Sequence, residues 1–276
     1  MMQTANRSVT MKATIVAALS ALLASGAMAH DMFLKPVAHR TVAGQPIVID
    51  LFTGTFEKSE NPVIRARMAA TLASVGGRTS ALDPAQWSDD AVASHLRFTP
   101  GTPGTHAIGL STRPSRIALS ATQFDDYLRH DGIEDVLAAR QRAPSTKPVI
   151  ERYAKHVRTI VQVGDVLTDD ASRPLGFPTE LLLLENPAAI KVGGALRFRA
   201  LLRGQPLPGQ LVYARPAGTK GAPAPQTKIR TGSDGTGSIQ IDQPGAWYLT
   251  FIHMEKSEET GIDYVSNWST LTFEIR

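Results

Sequence analysis

Residues 41–54, "TVAGQPIVIDLFTG", and residues 191–204, "KVGGALRFRALLRG", align without a gap at an offset of 150, with Gly44 over Gly194 and Gly54 over Gly204. In each copy a glycine-bearing turn leads into alternating residues: Ile47, Ile49 and Leu51 in the first, Leu196, Phe198 and Ala200 in the second. Alternation with a period of two is the mark of a strand with one buried face. A second echo pairs "PGTHAIGL" (103–110) with "PGAWYLTF" (244–251), a Pro-Gly turn entering a strand in both. Upstream, "FLKP" (33–36) sits where "LENP" (184–187) does. Short strands between turns predict a mainly β protein of two Ig- or transthyretin-like β-sandwich domains. The echo is short, so duplication and shared sandwich grammar explain it equally well.

Working outward, "IRTGSDGTGSIQI" (229–241) reads as strand, turn, strand, with Asp234-Gly235 as a hairpin signal. "WSTLTFEI" (268–275) closes the chain with Leu271, Phe273 and Ile275 on one face. The middle differs: "TQFDDYLRHDGIEDVLAAR" (122–140) has helical spacing, a Thr122/Asp125 pattern resembling a capping box, and Gly132 placed to split it into two short helices. The second part of "IERYAKHVRTIVQVG" (150–164) alternates as a strand, and "PAGTKGAPAPQT" (216–227) reads as an exposed loop. The expected organisation is an N-terminal sandwich over 30–165 with helices near 122–140, a linker over 166–177 and a C-terminal Ig-like sandwich over 178–276.

Residues 1–29 read as a secretory signal. Arg7 and Lys12 precede the apolar stretch "ATIVAALSALLA" (13–24), and Ala27-Met28-Ala29 is a small-x-small cleavage pattern. The apolar run is too short to span a bilayer, so the protein is expected to be periplasmic or secreted and not an integral membrane protein. The expected mature chain begins at His30. Removing Arg7 and Lys12, with no acid among residues 1–29, takes the net charge from +4 to +2. That balance gives no reason to expect nucleic acid as a partner. There is no cysteine, which excludes disulfides, thiolate metal sites and cysteine nucleophiles. No Gly-x-Ser-x-Gly elbow, phosphate loop or dinucleotide fingerprint is present, and an enzyme is not expected.

The seven histidines form no HxH or HExxH pair, so any metal site must be assembled by the fold. A mature His30 carries an α-amine and an imidazole on one residue, a nitrogen chelate that suits copper, nickel or zinc. His253, late in the apolar strand "YLTFIHMEK" (248–256) and on one face with Phe251 and Glu255, is the second candidate ligand. Asp31 is the candidate oxygen ligand, although neighbours on a strand face opposite ways. His130 and His156 lie in or beside helical patterns and read as surface residues.

The start "HDMFLKP", "VAGQPIVIDLFTGTFEKSENP", "FDDYLRHDGIEDVLAARQ", "ERYAKHVRTIVQVGD" and the tail "PGAWYLTFIHMEK…WSTLTFEI" together resemble the bacterial periplasmic family called domain of unknown function 4198. The resemblance covers essentially all of 30–276. Its most specific parts are the His-Asp start, Glu151-x-Tyr153-x-Lys155 and the final "STLTFE". Members are often described as periplasmic components of cobalt or nickel uptake, beginning with His-Asp or His-Glu and carrying a histidine where His253 stands. The resemblance implies a periplasmic accessory protein that binds a divalent transition metal (nickel, cobalt, copper or zinc) for uptake or delivery, with an envelope transporter or receptor as partner. The competing expectation is a metal-free β-sandwich interaction module of the cell envelope.

Overall fold

The structure, a computed structural model, describes residues 31–60, 62–218 and 225–276. The expected signal segment and His30 lie outside the described residues, as does the middle of the 216–227 loop. The first half contributes β1 (Asp31–Pro36), β2 (Arg40–Thr41), β3 (Ile47–Gly54), β4 (Met68–Val75), β5 (Arg78–Ala81), β6 (Trp87–Asp89), β7 (Ser94–Phe98), β8 (Gly104–Thr112), β9 (Ser115–Leu119), α1 (Ala121–His130), α2 (Glu134–Arg142) and β10 (Val149–Val163). The second half contributes β11 (Thr179–Leu183), β12 (Ala195–Leu202), β13 (Gln205–Pro206), β14 (Leu211–Pro216), β15 (Thr227–Arg230), β16 (Thr236–Gln240), β17 (Gly245–Lys256) and β18 (Tyr264–Ile275). No helix among the described residues is long and apolar enough to cross a membrane.

The fold is mainly β and built from sandwiches, and its two halves share a wall. One sheet runs β15-β14-β17-β18-β10-β8-β4-β5 through both halves. Its centre is the parallel pair β10–β18, in register from Glu151 opposite Tyr264 to Thr159 opposite Thr272. The order reads the same outward from that centre, with β8 answering β17, β4 answering β14 and β5 answering β15. A small sheet, β1-β3-β7-β6, covers the first half, and β11-β12-β13 with β16 covers the second. Both sequence echoes fall on strands in equivalent places: β3 with β12, and β8 with β17.

Alternation decides which face each cover takes. On β10, Val157, Val161 and Val163 pack with Ile49, Leu51 and Leu96 of the first cover. Ile160, one position out of phase, packs with Leu181, Phe198 and Leu249 of the second. On β18, Thr270 and Thr272 hydroxyls donate to the Met32 and Leu34 carbonyls at 2.7 and 2.6 Å, while Leu271, Phe273 and Ile275 point into the other core. The two covers therefore lie on opposite faces of the shared sheet, as a two-fold axis along the strands requires. Phe198, Phe251 and Phe273 are essentially inaccessible to water, and full burial of each contributes about 1.5–3 kcal/mol.

The helices cover the part of the first face that the small sheet leaves open. Phe124, Tyr127 and Leu128 of α1 pack with Met254, Tyr264 and Trp268. The expected split occurs at Gly132, with φ +69, but the capping box is one turn-start earlier than expected. Ser120 accepts from the Gln123 amide at 3.2 Å and its own amide donates to Gln123 Oε1 at 2.9 Å. The helix begins one residue before Thr122, so Thr122 cannot serve as the cap. A second correction concerns Asp234-Gly235. The turn is there, with Gly235 at φ +73, yet β15 pairs β14 in the shared sheet and β16 pairs β12 in the cover. The segment is a crossing between layers rather than a hairpin, since its two strands pair in different sheets.

On the outer face of the first cover, His95 sits between two carboxylates, Nδ1 at 2.8 Å from Asp50 and Nε2 at 3.1 Å from Asp90. The hydrogen bond to Asp50 raises its pKa, with burial opposing and Asp90 assisting. A raised histidine stabilises the fold fully below its unfolded pKa, and the gain is lost as pH rises through the folded value. The site is partly solvated, so we expect wild type to lose only a few tenths of a kcal/mol, up to about 1, between pH 5.5 and 8 relative to His95→Gln. Urea unfolding of both proteins at the two pH values checks it, and parallel pH profiles would reject it.

Candidate functional site

A cleft of about 540 Å³ opens on the face of β14 and β17 that neither cover nor helices fill. Its floor follows from strand alternation. Tyr213 and Arg215 of β14 are opposite Thr250 and Tyr248 of β17, while Val212 and Ala214 turn to the second core. One wall is the beginning of β1 with Asp31 and Phe33, continued by Thr55 and Phe56; the other is the α1–α2 turn with His130, Asp131 and Glu134. Phe33, Phe56 and Tyr248 form an aromatic cluster with ring centroids 4.7–5.3 Å apart.

Charge around the cleft is organised in pairs. Lys228 reaches Glu134 at 2.5 Å, His130 Nδ1 lies 2.7 Å from Asp131, and Arg129 pairs with Asp126 at 2.7 Å. Tyr213 donates to the Gly132 carbonyl at 2.8 Å, which ties the interhelical turn to β14. The Arg215 Nε donates to the Tyr248 hydroxyl, and the guanidinium lies 5.2 Å from that ring's centroid. Burial pushes the Asp31 carboxyl up to about 6; Lys155 opposes the rise and Asp131 adds to it. Lys155 is buried behind this wall with its ammonium 4.4 Å from the Trp268 ring centroid, and desolvation lowers it to about 8, with Asp31 opposing. On the same face of β10, buried Glu151 accepts from the Tyr127 hydroxyl at 3.1 Å and from Ser266.

Of the three expected ligands, His30 lies outside the described residues, and Asp31 and His253 face different cavities. Phe251, two residues before His253, packs in the second core, whereas Tyr248 and Thr250 face β1. His253 therefore lies on the opposite side of the sheet from Asp31. It lines a smaller cavity of about 210 Å³ with Leu207, Gln210 and Asp135. Its Nδ1 is 3.1 Å from Gln210 Oε1 and its Nε2 is 3.9 Å from Glu255. Burial lowers its pKa, Glu255 opposes and Arg203 adds. An Nδ1–H donated to an amide oxygen leaves Nε2 as the acceptor, the state a metal ligand needs. Among the described residues no three His, Cys, Asp or Glu side chains converge as a metal centre does. The described chain thus offers one carboxylate, Asp31, beside the position of the expected amine.

Sequence reading passed over several residues that shape the cleft, Arg215, Tyr213, Lys228 and Asp131, and noted Lys155 only as part of the family resemblance, with no role. The signal for Lys155 was its place in the Glu151-x-Tyr153-x-Lys155 segment. None existed for Arg215, which reads as an ordinary strand arginine. His130 is at the surface, as expected. His156 is not: it is buried in β10, with Nδ1 2.9 Å from Ser111 Oγ and Nε2 3.1 Å from Asn267 Oδ1. Burial holds its pKa down near 4, with the Asn267 contact opposing. The segment is strand throughout 149–163, which places His156 inside the sheet.

The fold and the cleft define a class: a two-sandwich β protein with one shared sheet and a polar-walled cavity at its amino-terminal strand. The chain belongs to the family described as "Domain of unknown function (DUF4198)", whose model matches residues 27–255. No curated protein sequence is significantly similar to it. Among solved structures it is similar to the D0–D1 domain of intimin, at 10% identity over 88% of this chain and 97% of that one, with a TM-score of 0.19. It is also similar to murine CEACAM1b, at 7% identity over 89% and 99% of the two chains and a TM-score of 0.22. A third is Salmonella alpha-2-macroglobulin reacted with methylamine, at 8% identity over 89% of this chain and 15% of that one, with a TM-score of 0.25.

Proposed function

We propose that this protein is an envelope-located accessory module that binds a divalent transition metal at the amino-terminal end of β1, for uptake or delivery. The observation that carries the reading is Asp31. This carboxylate, on the second residue of the expected mature chain, is desolvated in the cleft wall, which raises its pKa, with Asp131 adding to the rise and Lys155, Arg215 and His130 opposing it. Burial disfavours the ionised carboxylate, and a bound cation would hold Asp31 ionised. After cleavage before His30, its amine and imidazole would supply the nitrogen donors and Asp31 an oxygen donor, a set suited to nickel, cobalt, copper or zinc.

The test compares the mature chain bearing its native amine with a chain carrying one added residue before His30. Nickel, cobalt, copper and zinc are each titrated by calorimetry, and the melting temperature is followed with and without metal. A metal that binds only the folded state raises stability by about 2.7 kcal/mol at one hundred times its Kd. We expect the added residue and Asp31→Asn each to weaken binding by about 10–100-fold. His130→Ala, in the same cleft, should cost more than His253→Ala, in the other cavity. Equal affinity in the native and extended chains would sink the reading and leave the metal-free interaction module.

A further inference from the structure

Arg215 is the cation of the cleft wall that no carboxylate pairs among the described residues. Lys228 is taken by Glu134 and Arg129 by Asp126, while Arg215 spends only its Nε, on the Tyr248 hydroxyl. That single bond aligns the guanidinium and leaves its two terminal amino groups without a hydrogen-bond partner among the described residues. A planar fork of this kind matches a carboxylate with two parallel N–H···O bonds. Of the acids nearby, Glu134 is bonded to Lys228 and Asp131 has the His130 imidazole at 2.7 Å; Asp31 is near enough for Arg215 to lower its pKa but forms no ion pair with it. Beside the fork the cleft is bordered by Ile252 and by Phe33 and Phe56, whose rings are almost fully packed in the cluster with Tyr248. The volume, about 540 Å³, is that of a small-molecule pocket, far beyond what a bare ion and its water need. Apolar side chains with a few placed polar groups are the usual lining of such a site.

We infer that the cleft binds a small organic acid, its carboxylate seated on the terminal nitrogens of Arg215 and its apolar body against Phe33, Phe56 and Ile252. The Tyr248 hydroxyl is a positioning group for the fork, and Phe33 and Phe56, in contact with each other and with Tyr248, hold its ring in place. The site shares its cleft with Asp31 but not its ligating group, because Arg215 is no metal ligand.

The experiment uses the mature chain dialysed against EDTA, so that failure of the metal reading leaves it untouched. Benzoate, phenylacetate and 4-methylvalerate are titrated up to about 20 mM by two-dimensional NMR, with benzamide as the neutral match of benzoate. We expect benzoate to bind with shifts at Phe33, Phe56 and Thr250, and benzamide to bind about tenfold more weakly or worse, since a charge-assisted fork is lost. Arg215→Gln should lose about tenfold or more of the benzoate affinity at an unchanged melting temperature, and Arg215→Lys should keep part of it. Tyr248→Phe, which preserves the aromatic packing, should weaken binding by releasing the fork and covers the case in which Arg215→Gln does not fold. Equal binding of benzamide, full affinity in Arg215→Gln or Tyr248→Phe, shifts confined to other surfaces, or no binding by any of the three acids would each overturn the inference.

Discussion

Glu180→Ala is expected to cost about 3–5 kcal/mol, because it strands a buried charge. Glu180 on β11 accepts backbone amides from Leu175, Gly176 and Phe177 at 2.7, 2.8 and 3.1 Å. Its Oε2 lies 3.5 Å from Arg158 Nη1, and both side chains are about 4% exposed or less. Arg158 in turn donates to the carbonyls of Arg173, Asp170 and Ala171. Burial lowers the Arg158 pKa to about 10, with Glu180 and then Asp170 opposing. Truncating Glu180 leaves the buried guanidinium without its carboxylate and takes the acceptor from three amides, those of Leu175 and Phe177 in the interior. Urea denaturation at pH 7 measures the loss, and a change under about 1 kcal/mol would refute the account. The double change Arg158→Met with Glu180→Leu should recover much of it, since replacing both members of a buried pair removes the desolvation cost as well.

The second large effect is expected at Asp170, whose carboxylate joins the linker to the β4–β5 turn. It accepts from the Ser74 hydroxyl at 3.0 Å, the Gly76 and Gly77 amides at 2.8 and 3.0 Å, and the Thr168 hydroxyl at 2.7 Å. Burial pushes its pKa up, but the bonds from Thr168, Gly77, Gly76 and Ser74 together outweigh that and hold it below the ordinary value. A depressed acid stabilises the fold above its unfolded pKa, and the gain is lost as pH falls through the folded value. We expect Asp170→Ala to cost about 2–4 kcal/mol at pH 7, since bonds to a charged group are worth more than neutral ones. The gap between wild type and variant should close as pH falls below about 4. A pH-independent gap would show that the carboxylate's charge is not what holds the turn. Asp170 and Glu180 share Arg158's neighbourhood, so their combined effect should fall short of the sum.

These two acids also show where sequence reading stops. Glu180 precedes "LLLLENP" and Asp170 follows Asp169; by composition they are a strand-edge acid and half of a solvated pair. Both are buried because the linker over 165–178 folds back against β8 and β10, and no local pattern announces that return. The same holds for Arg215. Its alternation with Tyr213 put it on a face, but only the empty stretch of sheet between β1 and the helices made that face a cleft.

The sequence by itself determined the strand-rich class, the two similar halves, the split helices around Gly132 and most of the buried positions, including Ile49, Leu51, Phe198, Leu271 and Phe273. It did so because a strand with one face in water and one in a core must alternate, and that constraint is written residue by residue. The tertiary structure alone decided that the halves share a sheet through β10 and β18, that their covers take opposite faces, and that Asp31 and His253 look into different cavities. Those outcomes rest on pairings between positions more than a hundred residues apart, such as Glu151 with Tyr264 and Thr270 with Met32. Hydrogen bonds across a sheet edge are made by backbone groups that every residue carries, so the side-chain sequence holds little trace of which edge meets which.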